Sequence, residues 1–484
     1  MRSFFGVLIL TLLLADIAIG QTAADLVIVN GDVRTMSPKQ PKAEAVAVIG
    51  NRIVAVGSDE NIRKLISSAT RVIDADGGTV LPGFNDSHVH FMAIGNKFSS
   101  FDLKDVANTS SFFEKLELYT RYLPKGRWIL GSGGRKDLFN NIPFEKLDTL
   151  SPNNPVFIYG ADRSVAIANS AALNAALIRD TRPGIISGPV LERVRHYVPA
   201  DHTRRWSEIA ETASNYTVSF GITSVHDTHS DDHAELYKEL ARNGRLKVRI
   251  YDCFDLSAWK VYKGDLNNAA SESAMVRAGC LKGTAEVEGQ AILDLKRDVI
   301  GADKAGSQVL LHAIGSRAIR VAVDVFEAAI RENGARDRRF RIEHAERAAV
   351  EDLKRMARLG IIASVQPYLF GGRMGNAGFY RSLMDEGIQI AFGSDAPMTE
   401  IDPLLTIQAS VGSSGRIGLS IDEALYAHTV SSAYAEFRED IKGSLQNGML
   451  ADIVVLERTT NNTSGLVGRV LFTVVDGRVV YQAH

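Results

Sequence analysis

The chain has 484 residues, 45% hydrophobic and 23% charged, with a net charge of −2 from 55 basic and 57 acidic side chains. That is enough to bury a large core, and length alone allows about two to four domains. The near-balanced charge argues against a nucleic-acid surface and against a polybasic membrane patch.

Residues 1–20 read as a secretory signal. Arg2 gives a positive start, residues 4–15 are almost wholly apolar, and Ala18-Ile19-Gly20 is a small-x-small cleavage site leaving Gln21 as the mature end. The apolar run is short for a membrane span and a polar stretch follows, so no stable span is expected after cleavage; an uncleaved anchor is the alternative. Secretion permits one bridge between Cys253 and Cys280, and two free, buried thiols stay equally open. Asn-x-Ser/Thr sites start at Asn85, Asn108, Asn215, Asn461 and Asn462, of which Asn85 is expected to be too buried for glycan.

Residues 26–29, the turn Asn30-Gly31 and Val33 predict a hairpin, and residues 45–49, Gly50-Asn51 and 53–56 predict another. The same style returns at 452–456 and 471–475, with Asp476-Gly477 as a turn before 479–481. These β-rich ends predict one small β-sandwich domain from residues 21–81 with 445–484. Residues 82–444 alternate short apolar strands with helical stretches such as 291–305, 319–332 and 350–359. Candidate strands end at His90, Asp227, Phe254, Gly283, His312, His344, Gln366 and Asp395, the number of strands an α/β fold of the TIM-like (β/α)8 barrel type requires. The stretch 91–220 is too long for one crossover and carries apolar strands at 128–130 and 156–159. It is expected to be an insertion that shapes or covers the pocket.

In a barrel, chemistry sits at the C-terminal strand ends. The segment Leu81-Pro82-Gly83-Phe84-Asn85-Asp86-Ser87-His88-Val89-His90 ends the first strand, and residues two apart on a strand point to one side, so His88 and His90 aim at one point. Imidazole is the commonest ligand for divalent transition metals. Later ends carry Lys282, His312, His344 and Asp395; only 11 histidines occur in the chain, and four of them fall at these ends. One such residue is ordinarily a polar cap; six together point to a metal site.

These blocks, with Pro82-Gly83-Phe84-x-Asp86-x-His88-x-His90, His312-Ala313-Ile314-Gly315, Arg341-Ile342-Glu343-His344-Ala345 and Phe392-Gly393-Ser394-Asp395-x-Pro397, resemble the amidohydrolase superfamily of metal-dependent hydrolases. The last three look most like the subgroup that includes N-substituted formamide deformylases. The resemblance implies one or two divalent ions, zinc foremost. His88, His90 and Asp395 would hold one ion, His312 and His344 a second, and Lys282 would bridge them as an N6-carboxylated carbamate. It also implies attack of a metal-activated water on a small-molecule amide, with Asp395 as general base and then acid.

Two departures stand out. Lys282-Gly283 runs into Thr284-Ala285-Glu286-Val287-Glu288 where relatives have a Gly-rich segment, and Arg163, after Ala161-Asp162, stands where relatives commonly have a histidine. The altered loop raises a competing account for Lys282, as a salt-bridge partner of Glu286 or Glu288. Arg163 would clamp a carboxylate or lie on the surface, Asp227 and Gln366 would line the pocket or cap their strands, and His428 in a helical run 422–434 is expected to be structural. The reading is a secreted hydrolase of non-peptide C–N bonds in linear amides such as N-acyl or N-formyl amines. The alternatives are a pseudoenzyme that binds without turnover, and a related deaminase or cyclic amidase; oligomeric state has no signature in the chain.

Overall fold

The computed structural model describes residues 23–483 apart from 105, 162, 200–201, 229–232, 263–273, 372–375, 412–417 and 459–467. The signal segment 1–20, Asp162, Asn461 and Asn462 lie outside the described residues. Eight strands form the centre: β1 (Phe84–Val89), β2 (Ile222–Thr228), β3 (Arg249–Asp255), β4 (Val276–Thr284), β5 (Gln308–Ala313), β6 (Arg341–His344), β7 (Ile362–Val365) and β8 (Ile390–Phe392). Each pairs with the next, all parallel. The ring closes where Val89 bridges Ala396, the Asp395 amide donates to His88 O at 2.8 Å and the His90 amide to Ala396 O at 2.9 Å. Glycine at 393 permits that closure, because a Cβ there would lie 2.7 Å from the His88 nitrogen. The molecule is a (β/α)8 barrel.

Outward side chains of the strands, such as Val225, Leu281, Leu311 and Ile342, join one buried cluster with Leu295, Val299, Ile319 and Phe326 of the surrounding helices. Each fully buried side chain of this kind contributes about 1.5–3 kcal/mol, so the strand–helix interface carries much of the stability. Helices Gln290–Lys304, Ser316–Asn333 and Val350–Leu359 lie where the 3.6-residue pattern puts them, and Gly360 ends the last in the left-handed region at φ +65. The run 422–434 divides into Ile421–Ala427 and Val430–Ala435, with buried His428 between them.

Both chain ends build a sandwich. One sheet holds Leu26–Val29, Ala45–Ile49, Arg52–Gly57 and Arg71–Asp74; the other holds Asp32–Arg34, Lys42–Ala43, Thr79–Pro82, Ile453–Leu456, Val470–Val475 and Arg478–Gln482. Ile28 and Val46 of the first share a core with Val33, Ile453 and Val474 of the second. The hairpins at 45–57 and 470–482 form as the turn residues require, the latter with Asp476 and Gly477 at positive φ. The hairpin expected across Asn30-Gly31 does not form. Asn30 at φ +54 hands the chain from one sheet to the other, and Leu26–Val29 pairs instead with Ala45–Ile49 and Arg71–Asp74.

The stretch after β1 contains a separate five-stranded sheet, ordered Gly184–Ser187, Val165–Ala168, Val156–Gly160, Ile129–Gly134, Phe101–Asp102, with an apolar cluster on each face. Its last helix, His202–Val218, belongs to the barrel's outer layer through Ile209, Ala210 and Ala213. Cys253 and Cys280, facing each other on β3 and β4, are joined by a disulfide inside the barrel beside Tyr251 and Leu310. Asn85 is buried and donates to Glu436, while the Asn215 amide nitrogen donates to Tyr122 O, so neither is free to carry glycan. Among the described residues no helix is long and apolar enough to cross a membrane.

Candidate metal centre

The end of β1 and the loop after β8 meet at one point. His88 Nε2 lies 3.5 Å and His90 Nε2 lies 3.4 Å from the same oxygen, Asp395 Oδ1. These contacts are long for hydrogen bonds. They match the edge of a tetrahedron: ligands 2.0–2.2 Å from one ion lie about 3.3–3.6 Å apart. His344 joins from β6, with one ligand atom each from His88, His344 and Asp395 lying within 4.8 Å of one another. His344 and Asp395 both sit at positive φ, +74 and +60, a conformation costly for residues other than glycine and concentrated at functional sites. Nδ1 of His344 is buried without a hydrogen-bond partner. The donor set of imidazoles and one carboxylate fits a divalent ion of zinc type.

The barrel interior sets these side chains in place. Glu343, the residue before His344 on β6, accepts from His88 Nδ1 at 2.5 Å, which turns Nε2 of that ring toward the centre. Arg341, two residues earlier and fully buried, donates to Glu343 Oε1 at 2.9 Å, to Ser87 O at 2.6 Å and to Ser364 Oγ at 3.1 Å. Its remaining nitrogen meets His226 Nδ1 at 2.6 Å, and His226 leads on to Glu436, which also holds Lys442 and Arg277. The layer under the histidines is thus a paired ionic network. Asp86 accepts from the amides of His88 and Ser394 and ties β1 to the loop after β8.

Burial keeps these imidazoles neutral and able to ligate. It lowers His88 well below the ordinary histidine range, with nearby Lys282 adding to the effect, and lowers His344 to about 4. Burial alone would raise Asp395, but the His90 contact and the neighbouring His88 and His344 rings outweigh it and hold its carboxyl below the usual range.

The other side of the centre is more open. Lys282, at the end of β4, places Nζ 3.0 Å from His88 Nε2, and burial lowers its ammonium toward the neutral amine. Cys280 and Lys282 share the inner face of β4 while Leu281 packs toward the helices. Of the two acids in the altered loop, Glu286 lies 3.3 Å from His312 Nε2 and Glu288 pairs with Arg317, so neither holds Lys282. The rings of His312 and His344 are 4.5 Å apart. His90, Met92, Thr228, Asp255, Lys282 and His312 line a cavity of about 490 Å³ that opens here. A larger cavity of about 680 Å³, between the terminal strands and the helix Thr109–Tyr122, holds no histidine, so the chemistry points to the smaller one.

The remaining candidates fall elsewhere. Arg163 is exposed over the Tyr159 ring in the turn before Val165–Ala168, and no described residue from 97 to 221 lines the cavity. The inserted sheet therefore does not cover the pocket. Both carboxyl oxygens of Asp227 are engaged, by the Phe91 amide at 2.9 Å and Tyr237 Oη at 2.7 Å, so it anchors the helix that follows His90. Gln366 is buried at the end of β7, with Oε1 unpartnered. Arg341 and Glu343 alternate with the apolar Phe340 and Ile342; that period-two signal was the one to read.

A barrel with imidazole, carboxylate and lysine side chains gathered at its C-terminal strand ends defines a class. Residues 71–481 match the amidohydrolase family, and the chain belongs to it: it is a metal-dependent hydrolase acting on carbon–nitrogen bonds. It is 29% identical to Protein LONG AFTER FAR-RED 3 of Arabidopsis thaliana, across 95% of this chain and 92% of that protein. It is 27% identical to the N-substituted formamide deformylase of Arthrobacter pascens, across 95% and 98%. Its fold is similar to that of an uncharacterized metal-dependent hydrolase from Pyrococcus horikoshii, with a TM-score of 0.62, 23% identity and coverage of 92% and 98%.

Proposed function

We propose that the chain hydrolyses linear amides of the N-formyl or N-acyl amine type. One divalent ion, zinc by donor chemistry, would be held by His88, His90 and Asp395. A second would be held by His312 and His344, with Lys282 able to join as its N6-carbamate. The single observation behind this reading is Asp395 Oδ1 at ligand-edge distance from both His88 Nε2 and His90 Nε2, with Glu343 fixing the His88 ring. Burial favours the neutral Lys282 amine, the form that takes up carbon dioxide.

When bound, the ions supply Lewis acidity that brings a water toward a pKa of about 7 and polarises the amide carbonyl. Asp395 would take the proton of the attacking water as the new C–O bond forms at the carbonyl carbon. The same carboxyl then gives the proton to the departing nitrogen, so a C–O bond forms, the C–N bond breaks, and a carboxylic acid and an amine leave. Coverage of the formamide deformylase over almost its whole length supports linear amides. The full set of six ligand-type side chains speaks against a binding protein freed from catalysis. Secretion through cleavage after Gly20 belongs to the same proposal, and a mature terminus at Gln21 by mass spectrometry is its expected sign.

The test is a panel of N-formyl amines, N-acyl amines, cyclic ureides and amidines, offered to protein reconstituted with zinc, manganese or iron in bicarbonate. Turnover of the linear amides is expected to exceed that of the other classes. Preference for amidines or cyclic substrates would move the assignment to the deaminase or cyclic amidase reading, and turnover of none would favour the pseudoenzyme.

A further inference from the structure

Several acids of the barrel are committed to the protein itself. Asp86 accepts from the amides of His88 and Ser394, Asp227 from the Phe91 amide and Tyr237 Oη, and Glu343 from His88 and Arg341. Asp255, the last residue of β3, is placed differently. It lines the cavity of about 490 Å³ together with His90, Lys282 and His312, and it is the only carboxylate among the described residues that do. In register it stands beside Lys282 of β4. Its Oδ1 accepts from the Ser257 amide at 2.8 Å and from Ser257 Oγ at 2.5 Å, which fixes the carboxyl at the start of the single turn Leu256–Ala258. The other oxygen, Oδ2, has no hydrogen bond or ion pair among the described residues.

An uncompensated carboxylate on this wall works against the reaction. Negative charge develops on the carbonyl oxygen as water attacks, and a nearby anion opposes it. A substrate that brings its own positive charge to Asp255 removes that opposition and gains a charge-assisted hydrogen bond within a cleft. Met92, Ala93 and Gly283, on the same cavity wall, are apolar or small and suit an alkyl spacer. We infer that Asp255 determines specificity by receiving an ammonium or guanidinium group of the substrate, so that the amide cleaved is an N-formyl or N-acyl derivative of a diamine or a similar cationic amine. The inference rests on the amide-hydrolase reading of this cavity and narrows its substrate class. A turn cap alone needs only Oδ1, and its loss would alter folding without altering substrate choice.

The experiment compares N-formylputrescine with its neutral isostere N-formylpentylamine on zinc-loaded full-length protein, for wild type, Asp255→Asn and Asp255→Glu. Asparagine keeps an oxygen for Ser257, so the turn survives and only the charge is removed. Wild type is expected to favour the cationic amide by at least about tenfold in kcat/KM, mainly through KM. In Asp255→Asn that ratio falls to about one, while Asp255→Glu keeps part of it. Calorimetry of putrescine against pentylamine gives a second readout that needs no turnover, with the same preference in wild type and its loss in Asp255→Asn. Equal treatment of the two amides by wild type, or a preference that survives in Asp255→Asn, overturns the inference. If neither amide is hydrolysed, the amide reading fails and calorimetry still decides on Asp255: a preference for putrescine that Asp255→Asn abolishes supports the cation site, and equal binding overturns it.

Discussion

The two sides of the centre are built in different ways. On the β1, β6 and β8 side, His88 is held from beneath by Glu343, Glu343 by Arg341, and Arg341 by Ser87, Ser364 and His226, all of them buried. On the β4 and β5 side, His312 faces the cavity with its side chain 29% exposed, and its nearest acid comes from a rim loop. The difference teaches which features are tied to the barrel and which are free to vary. A ligand that is part of a buried ionic layer cannot be altered without leaving a charge unpaired, a loss of about 3–5 kcal/mol. A rim loop can change at little cost to folding, so the side that opens on the cavity is the one free to vary.

Four expected outcomes would sharpen or break that contrast. Asp395→Asn removes both a ligand and the proton carrier, and kcat should fall by about 10³-fold or more while circular dichroism stays that of wild type. Retention of wild-type kcat would detach the buried side from the chemistry. Lys282→Ala should lose activity by about 10²-fold and regain part of it with formate or acetate, small carboxylates that fit the space of a carbamate. Lys282→Arg should give no activity and no rescue, because a guanidinium cannot bridge cations. An arginine variant as active as wild type would show that no such bridge exists. Glu343→Gln frees the His88 ring to rotate and should weaken the first metal equivalent by about 10–100-fold. An unchanged affinity would show that Glu343 does not orient His88.

The smallest effect concerns stability alone. Burial lowers the imidazole of His428 to about 4, and that of His226 likewise, against about 6.5 in the unfolded chain. As pH falls below 6.5 the unfolded state takes up protons that the folded state refuses, so stability declines down to about pH 4, by up to about 1.4 kcal/mol per pH unit for each group. Glu436, which burial alone would raise but Lys442 and His226 hold well below its ordinary value, adds a loss at still lower pH. His428→Asn should make the decline between pH 6.5 and 4 shallower in urea unfolding of the metal-free protein; an identical slope would remove His428 from the account.

Much of the architecture was legible from periodicity. Eight apolar runs, six of them closing on a polar residue, match eight strands, and Asp395 falls outside its strand because β8 ends at Phe392. The hairpin at Asn30-Gly31 misled because a turn signal states that the chain reverses and says nothing about which sheet receives it. Among the site residues, the six ligand types stand out by chemistry and position. Arg341 and Glu343 were read as parts of a motif, because a charge inside an apolar barrel is expected to be excluded; here each is paired, so burial is tolerated. Glu286 was visible only as a departure from a pattern, and its place beside His312 depends on the Thr284–Ala285 register, which no local signal encodes. Asp227 and Arg163 show the converse: a polar residue at a strand end or in a variable loop serves packing and surface contacts as readily as chemistry.

The most direct measurement strips the protein with a chelator, returns zinc one equivalent at a time in bicarbonate, and follows hydrolysis of N-formyl and N-acyl amines at each step. The account predicts no turnover by stripped protein, recovery that tracks metal uptake, and no recovery in Asp395→Asn. Turnover by the stripped protein equal to that of the reloaded protein would contradict it.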